Sequence, residues 1–272
     1  MMLDAVLLFR EALYGALVIA VACSTLGVYV VLRRIVFVGA ALAELSSAGL
    51  ALGIWLAGIG AAATLTTHPV ALSLVVTLTG ALFFGLSGAR SRVPADATIG
   101  VVYAVAAALG ILLVAKAKSG EAHDIFLQGN ILGITHADTM VLVAVAVPVL
   151  LVHVVFFKEF LFVSFDRETA RTLGYNVTFW NLLLYLTIGL VIAFAMQFAG
   201  VMLVFDFLVL PAVTGMLLSR SMGGMFAWSV TSGLLAALVG FCLSVPFDLP
   251  SGPAIIAVSG VIVLLAWLMR RR

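Results

Sequence analysis

Residues 27–53 read GVYVVLRRIVFVGAALAELSSAGLALG, and they indicate the class of fold. Two apolar runs flank the basic pair Arg33 and Arg34, and Glu44 is the only acidic residue in the stretch. A run of about 20 apolar residues crosses the hydrocarbon core of a membrane as a helix. Basic residues between two such runs are typical of a cytoplasmic turn. The stretch therefore predicts two membrane-spanning helices joined by a short inner turn.

The composition extends this prediction to the whole chain. Of 272 residues, 64% are hydrophobic and 10% are charged, and the mean hydropathy is +1.29. Soluble domains have roughly 45–50% apolar and about 25% charged residues, so this chain is expected to be a polytopic membrane protein. The net charge of +2 does not favour a nucleic-acid partner. Cys23 and Cys242 lie apart in apolar runs and predict neither a disulfide framework nor a zinc site.

We predict one all-α transmembrane domain over residues 1–272, a helical bundle of about nine spans (eight to ten). The first apolar run leads to Arg33 without a small-residue cleavage site, so it is expected to be a span and not a signal peptide. Near Gly200, two of the predicted spans are alternatively one broken helix. The spans are predicted at residues 12–32, 36–58, 70–89, 97–115, 138–157, 179–198, 200–219, 223–244 and 254–269.

Basic residues at the span ends predict the orientation. In the nine-span arrangement most of them fall on one side, which should be cytoplasmic. The protein is then expected in the cytoplasmic membrane, with its N-terminus outside and its C-terminus inside. Two loops are long: an outer loop over residues 116–137, part of which is predicted as an interfacial or re-entrant helix, and a polar inner loop over residues 158–178. The residues that carry the assignment are Arg33, Arg34, Arg90, Arg92, Lys158, Arg167, Arg171, Arg220 and residues 270–272.

Two acidic residues fall at membrane depth, where a charge is costly and usually faces a cavity or a partner. Glu44 has Ser46 and Ser47 nearby, which suggests a polar site on a translocation pathway; the alternative is a protonated Glu44 hydrogen-bonded inside the bundle. Asp206 precedes Pro211 by five residues, and a proline-broken helix is tolerated where it lines a cavity. For Asp206, a pathway role and a structural hydrogen bond both remain open.

Other patterns concern packing and chemistry. Gly39, Gly49 and Gly53 lie in the second span, where small residues predict close approach of another helix. The four histidines show no HxxxH or HExxH spacing, and no GxxxxGK[ST] loop occurs, so neither a zinc site nor a nucleotide site of these types is predicted.

The inner loop has the pattern of a short amphipathic helix. Asp166, Arg167, Glu168 and Ala170 alternate charged and small side chains, and Gly174 is a suitable C-terminal cap. An ordinary solvated loop helix and a docking element for a cytosolic partner are both consistent with this pattern.

These motifs together resemble the membrane permeases of ABC-type zinc, manganese and iron importers. The resemblance covers almost the whole chain, and the motifs follow one another in the family's order. The matching segments are residues 27–53, DATIGVVYAVAAALG (96–110), GNILGIT (129–135), SFDRETARTLGYN (164–176), FAGVMLVFDFLVLPAVTG (198–215) and FDLPSGPAII (247–256).

The resemblance implies partners and a division of labour. A second permease copy, cytosolic ATPase subunits and an extracytoplasmic metal-binding protein are expected. ATP is hydrolysed by the partner, so this chain is expected to be no enzyme and to hold no permanent cofactor, with a divalent metal as its substrate. The inner loop at 158–178 corresponds to the coupling helix, where Asp166, Glu168 and Gly174 are the family-like positions.

The sequence also departs from the family pattern. Family members carry Asp and His where this chain has Ala40 and Glu44, and zinc-type members often have His where Ala104 stands. The remaining oxygen ligands, Glu44 and Asp206 as transient metal contacts, suit manganese or iron(II) better than zinc. A permease for a metal chelate, or an ion-coupled secondary carrier, is the alternative function.

Overall fold

A computed structural model describes residues 9–58, 69–87, 93–116 and 131–270, and the all-α prediction is confirmed. A 3-10 turn, Ile131–Gly133, lies between the fourth and fifth α-helices. No strand occurs in the described ranges. The helices are α1 (Arg10–Leu32), α2 (Phe37–Gly58), α3 (Pro69–Ser87), α4 (Ala95–Lys116), α5 (His136–Val155), α6 (Phe157–Phe165), α7 (Arg167–Thr172), α8 (Val177–Leu218), α9 (Met222–Ser244) and α10 (Ser251–Arg270).

Eight of these helices are long and apolar enough to cross a membrane: α1 to α5 and α8 to α10. One of them, α8, has 42 residues and is interrupted at Gly200, where φ is 73° and ψ is 167°. Glycine tolerates this conformation because it has no Cβ. The interruption falls between the predicted spans 179–198 and 200–219.

The two halves of α8 cannot be collinear. The end of the bundle that carries Arg33 and Arg34 is here called the basic end. Asn181, in the first half of α8, lies at this end, because it accepts a hydrogen bond of 2.6 Å from Arg33. Leu208, in the second half, has its backbone against Gly27, which is only about 9 Å of helix from Arg33. A straight helix would separate Asn181 and Leu208 by roughly 40 Å. The chain therefore folds back at Gly200, and counting the halves separately gives the nine segments predicted.

The centre of the bundle is formed by α8 and α1, which are largely buried. α8 contacts α1, α2, α3, α9 and α10, whereas α4 and α10 expose most of their side chains. Exposed apolar side chains on these outer helices are expected where lipid surrounds the protein. The arrangement leaves α2, α3 and α4 as one group of neighbours beside the α1–α8 centre.

Glycines on α2 bring its backbone close to two neighbours. A Cβ at Gly39 would lie 2.9 Å from Cδ1 of Leu208 on α8. A Cβ at Gly49 would lie 2.7 Å from Cα of Ser73, and one at Gly53 would lie 2.8 Å from Cα of Pro69, both on α3. Lipid is as apolar as the side chains, so close van der Waals packing of this kind holds such helices together.

Replacing Gly49 tests this packing. We expect Gly49→Leu to lower the stability of the purified protein by at least about 2 kcal/mol, because the added side chain meets the backbone of α3 and overpacking typically costs 1–3 kcal/mol. Thermal unfolding in detergent measures the change. Gly58→Leu is the matched control, since no atom of the described residues lies within 4 Å of a Cβ there. Equal melting temperatures for the two variants would contradict close packing at Gly49.

Candidate functional site

The short helix predicted in the inner loop is present as α7, and Asp166 caps its N-terminus. Asp166 Oδ1 accepts hydrogen bonds from the backbone N–H groups of Glu168 (3.1 Å) and Thr169 (2.9 Å). Asp166 Oδ2 accepts a bond of 2.5 Å from the Thr169 hydroxyl. The Thr169 side-chain and backbone hydrogen bonds hold the pKa of the Asp166 carboxyl below its usual value. An ionised side chain therefore fixes where α7 begins.

The other end of α7 is closed by a glycine motif. Gly174 has a φ of +86°. The Tyr175 N–H donates to the Ala170 carbonyl at 3.0 Å, and the Gly174 N–H donates to the Arg171 carbonyl at 3.2 Å. This is the Schellman pattern that commonly ends helices. Ala170 is fully buried and packs with apolar side chains of α6 and α8, whereas Glu168 and Arg171 are exposed. α7 is thus a defined helix with one anchored side and one charged, accessible side.

A polar network at the basic end joins α7 to the bundle. Arg33 donates through Nε to Ser164 Oγ (2.9 Å) and through Nη1 to Asn181 Oδ1 (2.6 Å). Asn181 Nδ2 donates to the Gly85 carbonyl at 2.7 Å, and Arg167 Nη2 donates to Asn181 Oδ1 at 3.4 Å. Sequence reasoning missed Asn181 altogether and used Arg33 only to assign topology. The available signal was a lone amide near the start of a long apolar run.

The polar residues of α2 divide between two of its sides. Ser46 is buried, and its Oγ lies 2.7 Å from Ser73 Oγ, so it contacts α3. Glu44 and Ser47 are half-buried, and no hydrogen bond joins Glu44 to any other residue that the structure describes. An unpaired carboxyl group at membrane depth is costly unless it faces a cavity or another molecule.

A cavity of about 540 Å³ lies beside Ala40, close to the basic end of α2. Asp96, at the start of α4, is the one acidic residue in the described part of its wall. Sequence reasoning treated Ala40 as a lost ligand position and did not connect it with Asp96, because only the contact between α2 and α4 brings them together. Ala104 is exposed on α4. The other lining residues are Phe37, Ala97, Gly100, Tyr103 and Phe205.

Asp206 is buried against α10. Its Oδ2 accepts a hydrogen bond of 2.8 Å from Ser259 Oγ, and its Oδ1 has no partner among the described residues. This contact is a structural hydrogen bond of the kind that the sequence analysis kept as one of two alternatives for Asp206. It places Asp206 beside α10, whereas Glu44 is on α2. In the part of the chain that the structure describes, no group of three or more His, Cys, Asp or Glu side chains is placed to hold a metal ion.

At the opposite end of the bundle, the described part of the outer loop is seated on α1. Ile134 is buried, and its side chain would meet a Cβ at Gly15. His136 Nδ1 lies 3.2 Å from Glu11 Oε2. Most of the predicted outer loop at residues 116–137, in part of which an interfacial or re-entrant helix is expected, lies outside the described residues, which resume at residue 131.

Known proteins resemble this chain along nearly its whole length. The manganese import system permease protein ScaB of Streptococcus gordonii is 32% identical over 260 residues, which cover 95% of this chain and 90% of that protein. The manganese transport system membrane protein MntC of Listeria innocua is 30% identical over 259 residues, covering 95% and 89%.

A solved structure agrees in fold and in sequence. A chain of PsaBC from Streptococcus pneumoniae in complex with Fab superposes with a TM-score of 0.83 at 28% identity, covering 98% of this chain and 94% of that one. The model of the ABC 3 transport family matches residues 6–270. The resemblance to metal-importer permeases is confirmed, and this chain belongs to the ABC 3 transport family.

Proposed function

We propose that this chain is the permease subunit of an ATP-driven importer of divalent metal ions, with manganese as the preferred ion. The observation that carries the proposal is α7, a capped helix with an accessible charged side in a member of the ABC 3 transport family. The sequence of this chain has no GxxxxGK[ST] phosphate-binding loop, so ATP hydrolysis is assigned to cytosolic ATPase subunits.

α7 is proposed as the coupling element. Asp166, Arg167, Glu168, Ala170 and Gly174 build it, and its exposed side is the surface offered to an ATPase. Movement of α7 would be transmitted through the buried Ala170 contact to α6 and α8. The hydrogen bonds at Asn181 would carry the same movement to the turn between α1 and α2.

The ion is proposed to pass along the side of α2 that carries Ser47, Glu44 and Ala40, towards the cavity with Asp96. These residues offer carboxylate and hydroxyl oxygens as ligands and include neither histidine nor cysteine. Such a ligand set suits manganese or iron(II) better than zinc. The names of the two relatives, both manganese permeases, favour manganese. Asp206 is proposed to fix α8 against α10, with transient metal contact as a second role.

The remaining parts of the assembly follow from the same proposal. A second permease copy would cover the open side of Glu44, and an extracytoplasmic metal-binding protein would deliver the ion. The basic end, which carries Arg33, Arg34 and Arg167, is assigned to the cytoplasm. With an odd number of segments, the C-terminus then lies in the cytoplasm and the N-terminus outside.

Metal accumulation by cells that lack this chain tests the function. We expect a selective manganese deficit that wild type restores. Glu44→Gln is expected to restore about tenfold less uptake, because bonds to a charged group contribute about 1.5–3 kcal/mol. Asp248→Asn is the matched control, since Asp248 is exposed and its φ of 51° is one that asparagine adopts readily. The measurement should cover manganese, iron, zinc, cobalt and nickel.

Each outcome has a distinct meaning. If the Glu44→Gln variant restored metal uptake as fully as wild type, Glu44 would not belong to the ion route, although the chain would still be a metal importer. The absence of a deficit for every ion would contradict the function and favour a metal chelate as substrate. Uptake by the purified chain in an ion gradient, without ATPase or ATP, would favour a secondary carrier.

A pair of substitutions at Asp166 tests the coupling helix. Asp166→Ala removes the cap of α7, and we expect ATP-driven uptake to fall about fivefold, the effect of partly unfolding one helical turn. Asp166→Asn retains a good cap and should keep most of the uptake. Membrane abundance by immunoblot controls for insertion. If both variants transport like wild type, an intact α7 is not needed for coupling.

A further inference from the structure

A second cavity lies under α7 at the basic end, separate from the cavity beside Ala40. Its volume is about 630 Å³, within the range of roughly 300–1,000 Å³ typical of small-ligand sites. The turn after α1, the start of α4, the junction of α6 and α7, and the first half of α8 form its walls. Arg33, Arg34, Arg167, Ser164 and Asn181 are among the lining residues.

The cavity contains more guanidinium donors than acceptors for them. Arg33 and Arg167 both donate to the same neutral oxygen, Asn181 Oδ1. Arg33 Nη2 is buried and has no hydrogen-bond partner among the described residues. Neither arginine forms an ion pair with any carboxylate in the described ranges. Burial and the nearby charge of Arg167 lower the pKa of Arg33 to about 10, as expected for two cations that share one acceptor.

Two carboxylates also line this cavity, and neither neutralises the pair. Asp166 is engaged with the start of α7 through Thr169 and Glu168. Glu168 is exposed and makes no ion pair among the described residues. A buried donor left unpaired costs free energy, more so when it is charged. Neither carboxylate therefore satisfies Arg33 Nη2, which is open to an anion from outside the described residues.

We propose that this cavity binds a phosphate group, whose oxygens accept hydrogen bonds from Arg33 Nη2 and from the guanidinium of Arg167. Planar guanidinium groups match tetrahedral oxyanions in bidentate geometry. The phosphate is either a free ion or the headgroup of an anionic phospholipid, because the cavity is at the basic end, which is assigned to the cytoplasmic side of the membrane.

A phosphate in this position would connect the turn between α1 and α2 with α7. It would remove the repulsion between Arg33 and Arg167 and so stabilise α7 in its present position. The site is distinct from the proposed metal route, since its described lining shares no residue with the cavity beside Ala40. Phosphate is thus a regulator of how readily α7 moves, and its binding does not depend on the identity of the transported ion.

Thermal unfolding of the purified full-length chain in an uncharged detergent tests the site. Inorganic phosphate is titrated against chloride at equal ionic strength, and in a second arm phosphatidylglycerol is compared with phosphatidylcholine in mixed micelles. We expect the melting temperature to rise by about 4 °C at saturation with one of the two phosphate sources. A rise with inorganic phosphate identifies the free ion, and a rise with phosphatidylglycerol alone identifies the headgroup.

Three variants make the test specific. Arg167→Gln keeps an unbranched polar side chain but removes the charged guanidinium donor, and because Arg167 is exposed we expect normal folding and loss of the rise. Arg33→Gln should lose it too, while Arg220→Gln, an exposed basic residue outside the cavity, should keep it. No rise with either phosphate source, or an equal rise in wild type and all three variants, would overturn the proposal.

Discussion

The close contact between α1 and the returning half of α8 is the constraint on which the other positions depend. Gly27 leaves no side chain between the helix backbones, so the Leu208 backbone sits directly against α1. Inside a membrane, apolar side chains gain little by leaving lipid, and such close approach supplies the stabilising contacts. The reversal at Gly200 makes this contact available. Because Leu208 also meets Gly39, the same helix half sets the position of α2 and of the side that carries Glu44.

Local patterns allowed much of the fold to be predicted from sequence. Nine segments, the basic turn at Arg33 and the helix between Asp166 and Gly174 all follow from signals within a few neighbouring residues. Side-chain partners did not follow, because they come from distant parts of the chain: Arg33 and Asn181 are 148 residues apart. Ser46 and Ser47 look alike in sequence, yet Ser46 is buried in a hydrogen bond with Ser73 on α3 whereas Ser47 is half-buried, and that difference depends on which side of α2 the helix α3 approaches.

The proposed metal route and the proposed phosphate site differ in their charged groups, although Asp166 and Glu168 also line the second. Carboxylates at Glu44 and Asp96 belong to α2 and the start of α4, while the guanidinium groups of Arg33 and Arg167 converge under α7. A low-dielectric surrounding strengthens the field of each charged group. On the two proposals above, a divalent cation would favour the first region and an anion the second, so one small chain would offer sites for ions of opposite sign.

The construction of α7 suits the proposed coupling of a surface motion to the buried helices. A helix of six residues has little stability of its own, and here its two ends are closed by Asp166 and by the Gly174 motif, so it is expected to move as one body. Its attachments are of two kinds. In the proposed coupling, Ala170 would transmit a displacement through apolar contact, whereas Asn181 would transmit it through the hydrogen bonds that it accepts from Arg33 and Arg167. Asn181 belongs to the same helix whose other half contacts α2, so a displacement of α7 would reach the Glu44 side through α8 and through the α1–α2 turn together.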